Sequence, residues 1–354
     1  MKNILTVVGA RPNFMKAAPL LRLLNQESEI NSTLVHTGQH YDKNMSDVFF
    51  EDLDIQKPDF MLNVGSGTQS YQTGKIMEMF EDVCLKLIPD LIIVFGDINS
   101  TLACSIVAKK LKIKLAHVEA GLRSYDRDMP EEINRLATDA ISDYFFVTEE
   151  SAKLNLINEG HDQDKIFFVG NLMIDSLHYG LKKLNKKNIF EEPFGLITLH
   201  RPSNVDQIPR LKEILNDLSI ISEEIRLYFS IHPRTKKRIV DNKIDIGKNI
   251  KILDTLPYLD FLNLMKNCKV IFTDSGGIQE ESTVLKKPCY TLRYNTERPI
   301  TLSKGTNKLV DPEKNKIVES FNKNKFEINT NYELPFGWDG NCAKRIVEVI
   351  NKGV

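Results

Sequence analysis

The chain has no apolar run approaching the ~18–20 residues that cross a bilayer, which excludes a helical membrane anchor. Its first apolar stretch, Ile4–Val8, is strand-length and runs into Gly9-Ala10-Arg11-Pro12, unlike a secretory leader. Cysteine is scarce: Cys84, Cys104, Cys268, Cys289 and Cys342 are scattered and odd in number, with no CxxC and no Cys/His cluster. Neither a disulfide framework nor a metal site is expected, and the expected setting is the cytoplasm. An excess of one charge is also missing, since 47 Lys and Arg face 48 Asp and Glu for a formal net charge of -1. Such a balance exerts no general pull on nucleic acid or an anionic membrane, so neither is expected as a partner. Any anionic ligand must be gripped by a local site. The common nucleotide fingerprints are missing too. Nothing matches GxxxxGK[ST], and Gly65-Ser66-Gly67 lacks a preceding strand and the third glycine of GxGxxG. A P-loop NTPase and an NAD enzyme are set aside, and no cofactor is expected.

What is present is a recurring unit: a short β-rich run, a polar turn, then a segment of helical period. Strands are expected at Ile4–Val8, Thr33–His36, Leu91–Phe95, Leu115–Val118, Tyr144–Val147 and Ile166–Val169. A second set follows at Leu196–His200, Leu227–Ile231, Ile250–Leu253, Val270–Thr273 and Cys289–Thr291. Runs such as Leu91-Ile92-Ile93-Val94-Phe95, apolar at consecutive positions, read as strands buried on both faces of a parallel sheet. Ile76, Met79, Phe80, Val83 and Leu87 form an apolar helical stripe, and Ile133, Leu136, Ala137, Ala140 and Ile141 a second.

The fold class is therefore α/β: two Rossmann-like, doubly wound domains facing across a cleft, with length enough for both at 354 residues. The domains are expected at 1–170 and 171–339, with the hinge near Lys182–Pro193. A last helix, about 340–354, is expected to pack back on the first domain.

Ligands in such folds bind beyond the C-terminal ends of strands. In the first half those positions carry Arg11, Asp97, Glu119 and, just beyond, Glu131. Each has a plain structural reading. Asp97 can cap the helix starting near Asn99, and Pro130-Glu131-Glu132 is an ordinary helix start. Glu119, at the end of a buried strand, needs a partner, and Arg123 is the expected one. Three acids at one sheet edge together supply a base and an acid whose pKa values proximity separates.

In the second half His200-Arg201 and His232-Pro233-Arg234 end two strands, a localised cationic pair of loops suited to phosphate. Thr273-Asp274-Ser275-Gly276-Gly277 joins a buried strand to a helix, where glycines let the backbone approach an anion and free N–H groups point at it. Glu281, one turn into that helix, is placed to accept from ribose hydroxyls. The plainer reading is a capped helix and a flexible turn.

The chain resembles the UDP-N-acetylglucosamine 2-epimerase family, non-hydrolysing type, over nearly its full length. The resemblance is carried by Gly9-Ala10-Arg11-Pro12 with Lys16, Gly96-Asp97, and His117-Val118-Glu119-Ala120-Gly121-Leu122-Arg123. It continues through Pro130-Glu131-Glu132-Ile133-Asn134-Arg135, Gly170-Asn171, His200-Arg201, Asp274–Glu281 and Glu297-Arg298-Pro299.

It implies a GT-B-like fold, a homodimer, and a UDP-sugar substrate. Asp97, Glu119, Glu131 and His200 would be catalytic. Arg11, Lys16, Arg201, His232, Ser275, Gly276, Gly277, Glu281 and Arg298 would bind the UDP-sugar. The implied reaction is epimerisation at C2 of UDP-N-acetylglucosamine by elimination of UDP to a 2-acetamidoglucal and re-addition, feeding polysaccharide synthesis.

Two stretches depart from the family pattern. Pro202-Ser203-Asn204 stands where many members read Arg-Glu-Asn. Gln39-His40-Tyr41-Asp42-Lys43-Asn44-Met45 stands where regulated members carry Gln-His-Arg-Gln-Met. A diacetamido or uronic-acid UDP-sugar, a hydrolysing 2-epimerase and a GT-B glycosyltransferase stay open as alternatives.

Overall fold

The computed structural model describes residues 1–39, 54–184, 190, 192–254 and 256–353. The departing residues His40–Met45 and half of the expected hinge, 185–189 and 191, lie outside them. The chain divides into two compact units, Met1–Tyr179 with Phe336–Val354 and Gly180–Pro335. Among the described residues no helix is long and apolar enough to cross a membrane.

Unit 1 is built on seven parallel strands: β1 (Lys2–Val8), β2 (Ile30–His36), β3 (Phe60–Met61), β4 (Leu91–Phe95), β5 (Lys114–Val118), β6 (Tyr144–Val147) and β7 (Ile166–Phe168). They run in the order β3-β2-β1-β4-β5-β6-β7. The order reverses direction at β1, so the loops after β1 and β4 flank the switch point where doubly wound sheets take ligands.

Its helices are α1 (Arg11–Leu24), α2 (Gln69–Leu87), α3 (Asn99–Lys110), α4 (Pro130–Ile141), α5 (Glu150–Asn158) and α6 (Leu172–Lys183). Every residue of β4 is buried, as its unbroken apolar run requires. α2 lays Ile76, Phe80 and Val83 into the core under that sheet.

α4 overturns the stripe expected of it. Ile133 is 46% exposed and Ala140 is also exposed, while Glu132, Asn134, Arg135, Thr138 and Asp139 are buried. The buried stripe carries charge because it faces the polar ends of β4 and β5 rather than an apolar sheet. Two sets at helical spacing share this helix, and the partners decide which one turns inward.

Unit 2 is a six-stranded parallel sheet of β8 (Phe194–Thr198), β9 (Arg226–Ser230), β10 (Ile250–Leu253), β11 (Val270–Thr273), β12 (Cys289–Leu292) and β13 (Asn307–Val310). Its order, β10-β9-β8-β11-β12-β13, puts the switch point between the loops after β8 and β11. The helices are α7 (Pro202–Val205), α8 (Ile208–Ser222), α9 (Pro233–Asp241), α10 (Tyr258–Asn267), α11 (Gly276–Val284), α12 (Pro299–Ser303) and α13 (Lys316–Asn324). A core of Ile197, Leu215, Phe229, Phe272 and Phe321 fills one face of this sheet.

The chain re-enters unit 1 at Phe336. Trp338 is fully buried there and donates from Nε1 to the Thr148 carbonyl at 3.3 Å. The final helix, α14 (Cys342–Asn351), packs on α1. Asp175 caps it by accepting from the backbone N–H groups of Cys342 and Ala343 at 3.2 and 2.9 Å.

Candidate active site

Asp97 follows Gly96 at the end of β4. It does not cap α3, whose N-cap is Ile98 with no side-chain bond. Its carboxylate instead lies 2.6 Å from Arg135 Nη2 on α4. Arg135 is held from its other side by buried Glu132, which also accepts from the Ser124 and Tyr125 backbone. Burial by itself would raise the Glu132 carboxyl, but those N–H groups and Arg135 outweigh it and hold it below the usual carboxylate range.

Glu119 directly follows β5 and sits in the left-handed region, with φ +71°. A non-glycine residue there is strained, and such strain gathers at functional sites. Its partner is not the expected Arg123. Lys16 reaches across from α1 to put Nζ 2.5 Å from Glu119 Oε2, while Arg123 turns to Asp139 at 2.7 Å and to Glu159. The reason is steric as well as electrostatic. A Cβ on Gly96 would stand 3.3 Å from Lys16 Nζ and 3.8 Å from Glu119 Oε1, so the glycine leaves room for the pair. Gly96 also takes φ +61°, a conformation it adopts without strain.

Glu131 is exposed at the start of α4 and lines, with Asp97, a cavity of about 180 Å³. Neutral amides make up much of the remaining wall. Asn99 donates to Gln69 and Gln72 at 2.6 and 2.8 Å, Asn134 donates to the Asp97 carbonyl at 2.8 Å, and Gln39 accepts from the Ser100 backbone at 3.0 Å. No charge or metal motif marks these amides in the sequence. The available signals are Asn134, inside the Pro130–Arg135 motif, and Gln39, at the head of the Gln39–Met45 segment. Arg11 is the first residue of α1, at the switch point.

In unit 2 the organising group is Asp274, fully buried at the end of β11. It accepts from the backbone N–H groups of His200 and Arg201, at 3.1 and 3.0 Å, and from Asn204 Nδ2 at 3.1 Å. Its Oδ1 lies 3.1 Å from His200 Nδ1. Burial pushes the Asp274 carboxyl up, but His200 and the backbone donors outweigh that and keep it below the usual range. Arg201 points its guanidinium at Glu297, 3.5 Å away, and Glu297 also holds Arg293 at 2.7 Å. Arg298 meets buried Glu280 at 2.7 Å.

His232 caps α9, its Nδ1 accepting from the Arg234 N–H at 3.2 Å. That bond leaves Nε2 as the hydrogen-bearing nitrogen of the neutral ring. Burial lowers its pKa, and His200 and Arg234 add to that, while Nδ1 already accepts and Nε2 is left to donate. Arg234 pairs with Asp206. Ser275 precedes α11 without capping it by its side chain, and Gly276 and Gly277 form its first turn. Glu281 is buried and accepts from the Tyr258 hydroxyl at 2.9 Å.

A larger open groove of about 620 Å³ holds none of these groups. It is lined by Pro193, Arg226 and Lys269, at the opposite ends of β8, β9 and β11. Among the described residues no three His, Cys, Asp or Glu gather as a metal-ligand set.

Two all-parallel sheets, each with its charged strand-end groups at the switch point, define a protein of the GT-B class. The fold is similar to that of a lipopolysaccharide outer core galactosyltransferase, with a TM-score of 0.57 at 13% identity over 100% of both chains. Within that class the chain belongs to the UDP-N-acetylglucosamine 2-epimerase family, a family of isomerases, whose model matches residues 22–351. It is similar to the Methanocaldococcus jannaschii UDP-GlcNAc 2-epimerase solved in complex with UDP-GlcNAc and UDP. The TM-score is 0.91 at 45% identity, with 100% of both chains covered. A Pseudomonas aeruginosa relative, a UDP-2,3-diacetamido-2,3-dideoxy-D-glucuronate 2-epimerase, is 39% identical over 356 residues, 99% of each chain.

Proposed function

We propose that this chain interconverts UDP-N-acetylglucosamine and UDP-N-acetylmannosamine without releasing the free sugar. The observation that carries the reading is the set of acids at the unit 1 switch point: Asp97 held by Arg135, Glu119 held by Lys16, and Glu131 on the wall of the cavity that Asp97 also lines.

The C2 proton of the sugar has no carbonyl beside it, so simple deprotonation is prohibitively uphill. Elimination avoids that barrier. One carboxylate takes the C2 proton as the C1–O bond breaks, and the bonding pair leaves with the UDP oxygen, producing a C1=C2 double bond. In the return step a protonated acid delivers a proton to the other face of C2 and the UDP oxygen re-attacks C1. Inversion needs acid–base groups for both faces, and a third carboxylate stabilises positive charge developing at the ring.

Unit 2 takes the nucleotide in this reading. Ser275, Gly276 and Gly277 offer backbone N–H groups to the diphosphate, aided by Arg201, His200 and the Nε2–H of His232. Glu281, pre-oriented by Tyr258, accepts from the ribose. Arg11, Lys16 and Arg298 complete the substrate contacts.

Incubation with UDP-N-acetylglucosamine in deuterated water tests this. Deuterium at C2 and a manno sugar still linked to UDP are expected. Free N-acetylmannosamine with UDP identifies hydrolysis instead, and unlabelled substrate overturns the reading. The Pseudomonas relative favours one second reading, 2-epimerisation of a diacetamido uronate. Running UDP-2,3-diacetamido-2,3-dideoxyglucuronate alongside decides between the two.

A further inference from the structure

Beneath the acids lies a buried charged network that the proposed mechanism does not use. His117, within β5, is fully buried between two oxygens: Nε2 is 2.8 Å from the Gly96 carbonyl and Nδ1 is 2.6 Å from Asp139 Oδ1. A carbonyl only accepts, so Nε2 carries hydrogen, and a proton lies between Nδ1 and the carboxyl oxygen. The other oxygen of Asp139 accepts from the Gly121 backbone N–H at 3.0 Å and from Arg123 at 2.7 Å. Arg123 in turn donates to the Leu122 carbonyl at 2.7 Å.

A buried ion pair of this kind gives little net stability, because desolvation offsets its Coulomb attraction. Its use must lie in what it fixes. What it fixes are two left-handed turns, Gly96 at φ +61° and Gly121 at φ +78°, with Glu119 at φ +71° between its anchors. Gly96 immediately precedes Asp97. One carboxylate on α4 thus ties the turn after β4 to the turn after β5, two turns of helix beyond Glu131.

We propose that Asp139, acting through His117, is a positioning residue that clamps Asp97 and Glu119 in register. The proposal rests on the assignment of those two acids to C2 chemistry. A clamp alters the alignment of reacting groups and leaves the nucleotide site alone. Misalignment of about 1 Å costs on the order of 10²-fold in rate.

The test compares four variants of the full chain. Asp139→Asn and His117→Phe should each lower kcat about 10²-fold while KM and UDP affinity stay within about twofold. His117→Gln, whose amide N–H can still reach the Gly96 carbonyl, should recover part of that loss. Thr138→Val removes a buried hydroxyl with no hydrogen-bond partner among the described residues and should keep wild-type kcat. Proton NMR of the wild type should contain a strongly downfield, slowly exchanging ring proton that His117→Gln lacks, a readout that survives even if Asp139→Asn fails to fold.

The clamp is overturned if His117→Phe is no slower than Thr138→Val, if the loss falls on UDP affinity instead of kcat, or if the downfield proton is missing. A wild type that exchanges no C2 proton overturns the assignment of the acids, and with it the clamp's purpose. A wild type that exchanges normally beside an unimpaired His117→Phe overturns the clamp alone.

Discussion

The two units solve the same problem with opposite polarity. At Asp97 in unit 1 the cation is the buried member: Arg135 is 4% exposed and presents Asp97, 27% exposed, whereas Lys16 and Glu119 are both buried. In unit 2 the acid is buried: Asp274 is fully buried beneath His200, 48% exposed, and Glu297, 8% exposed, stands behind Arg201, 27% exposed. A formal charge near zero therefore contains two oriented sets of pairs. At Asp97, His200 and Arg201 the buried ion fixes its more accessible partner by charge-assisted hydrogen bonds or close ion pairing, while Lys16–Glu119 and Arg298–Glu280 are buried on both sides. One unit offers acids, as proton transfer needs. The other offers donors, as a diphosphate needs.

The contrast can be broken from either side. The largest effect is expected from Asp97→Asn, which keeps the shape of the group and its place over Arg135 but cannot take a proton. Its kcat should fall by about 10³-fold, within the usual range for a lost acid–base group, with UDP affinity unchanged. Kinetics and calorimetry on the same preparation check both halves. Next comes Gly276→Val. A Cβ there would stand 2.9 Å from Glu297 Oε1, which Arg293 and Arg201 hold in place, and a branched side chain would fill the approach to the α11 N-terminus. UDP binding by calorimetry should weaken at least about 10²-fold, a change of roughly 2.7 kcal/mol; unchanged affinity would mean the cradle lies elsewhere. Asp274→Asn is milder. It keeps an acceptor for the His200 and Arg201 backbone but loses the charge under the imidazole, so UDP affinity should drop about tenfold, or 1.4 kcal/mol.

The smallest effect lies away from both sites and tests whether the pairs alone govern the pH response. Burial raises the Asp175 carboxyl to about 6, despite the two N–H groups of α14 that it accepts. The folded chain therefore holds this proton more tightly than the unfolded chain. The contribution favours folding at low pH and is lost as pH rises from the ordinary carboxylate range through about 6. Denaturant unfolding at pH 5 and pH 7 should differ between wild type and Asp175→Asn by about 1–2 kcal/mol, with the variant flatter. Equal slopes would contradict the assignment.

Much of this was legible in the sequence, for identifiable reasons. Leu91–Phe95 reads as a doubly buried strand because both its faces are covered by helices, and strand ends with Asp, Glu or His stand out against such runs. Both expected sets of switch-point residues rest on that contrast. Four features were not legible. The partner of Glu119 is Lys16, far away along the chain, and Arg123 looked nearer only in sequence. α4 carries an apolar and a charged stripe, and only the polar ends of β4 and β5 decide that the charged one turns inward. The amide wall of Gln69, Gln72 and Asn99 consists of neutral residues with no spacing rule. The strands β3 and β13 escaped because Phe60-Met61 is too short to establish a period and Asn307-Lys308-Leu309-Val310 is only half apolar.

The central claim is the division of labour, proton transfer by unit 1 and nucleotide binding by unit 2. Glu119→Gln tests it most directly when C2 deuterium exchange and UDP affinity are measured on one sample. The account predicts exchange slowed by about 10³-fold or more with the UDP dissociation constant unchanged. Exchange at the wild-type rate, or a loss of UDP affinity matching the loss of exchange, would contradict it.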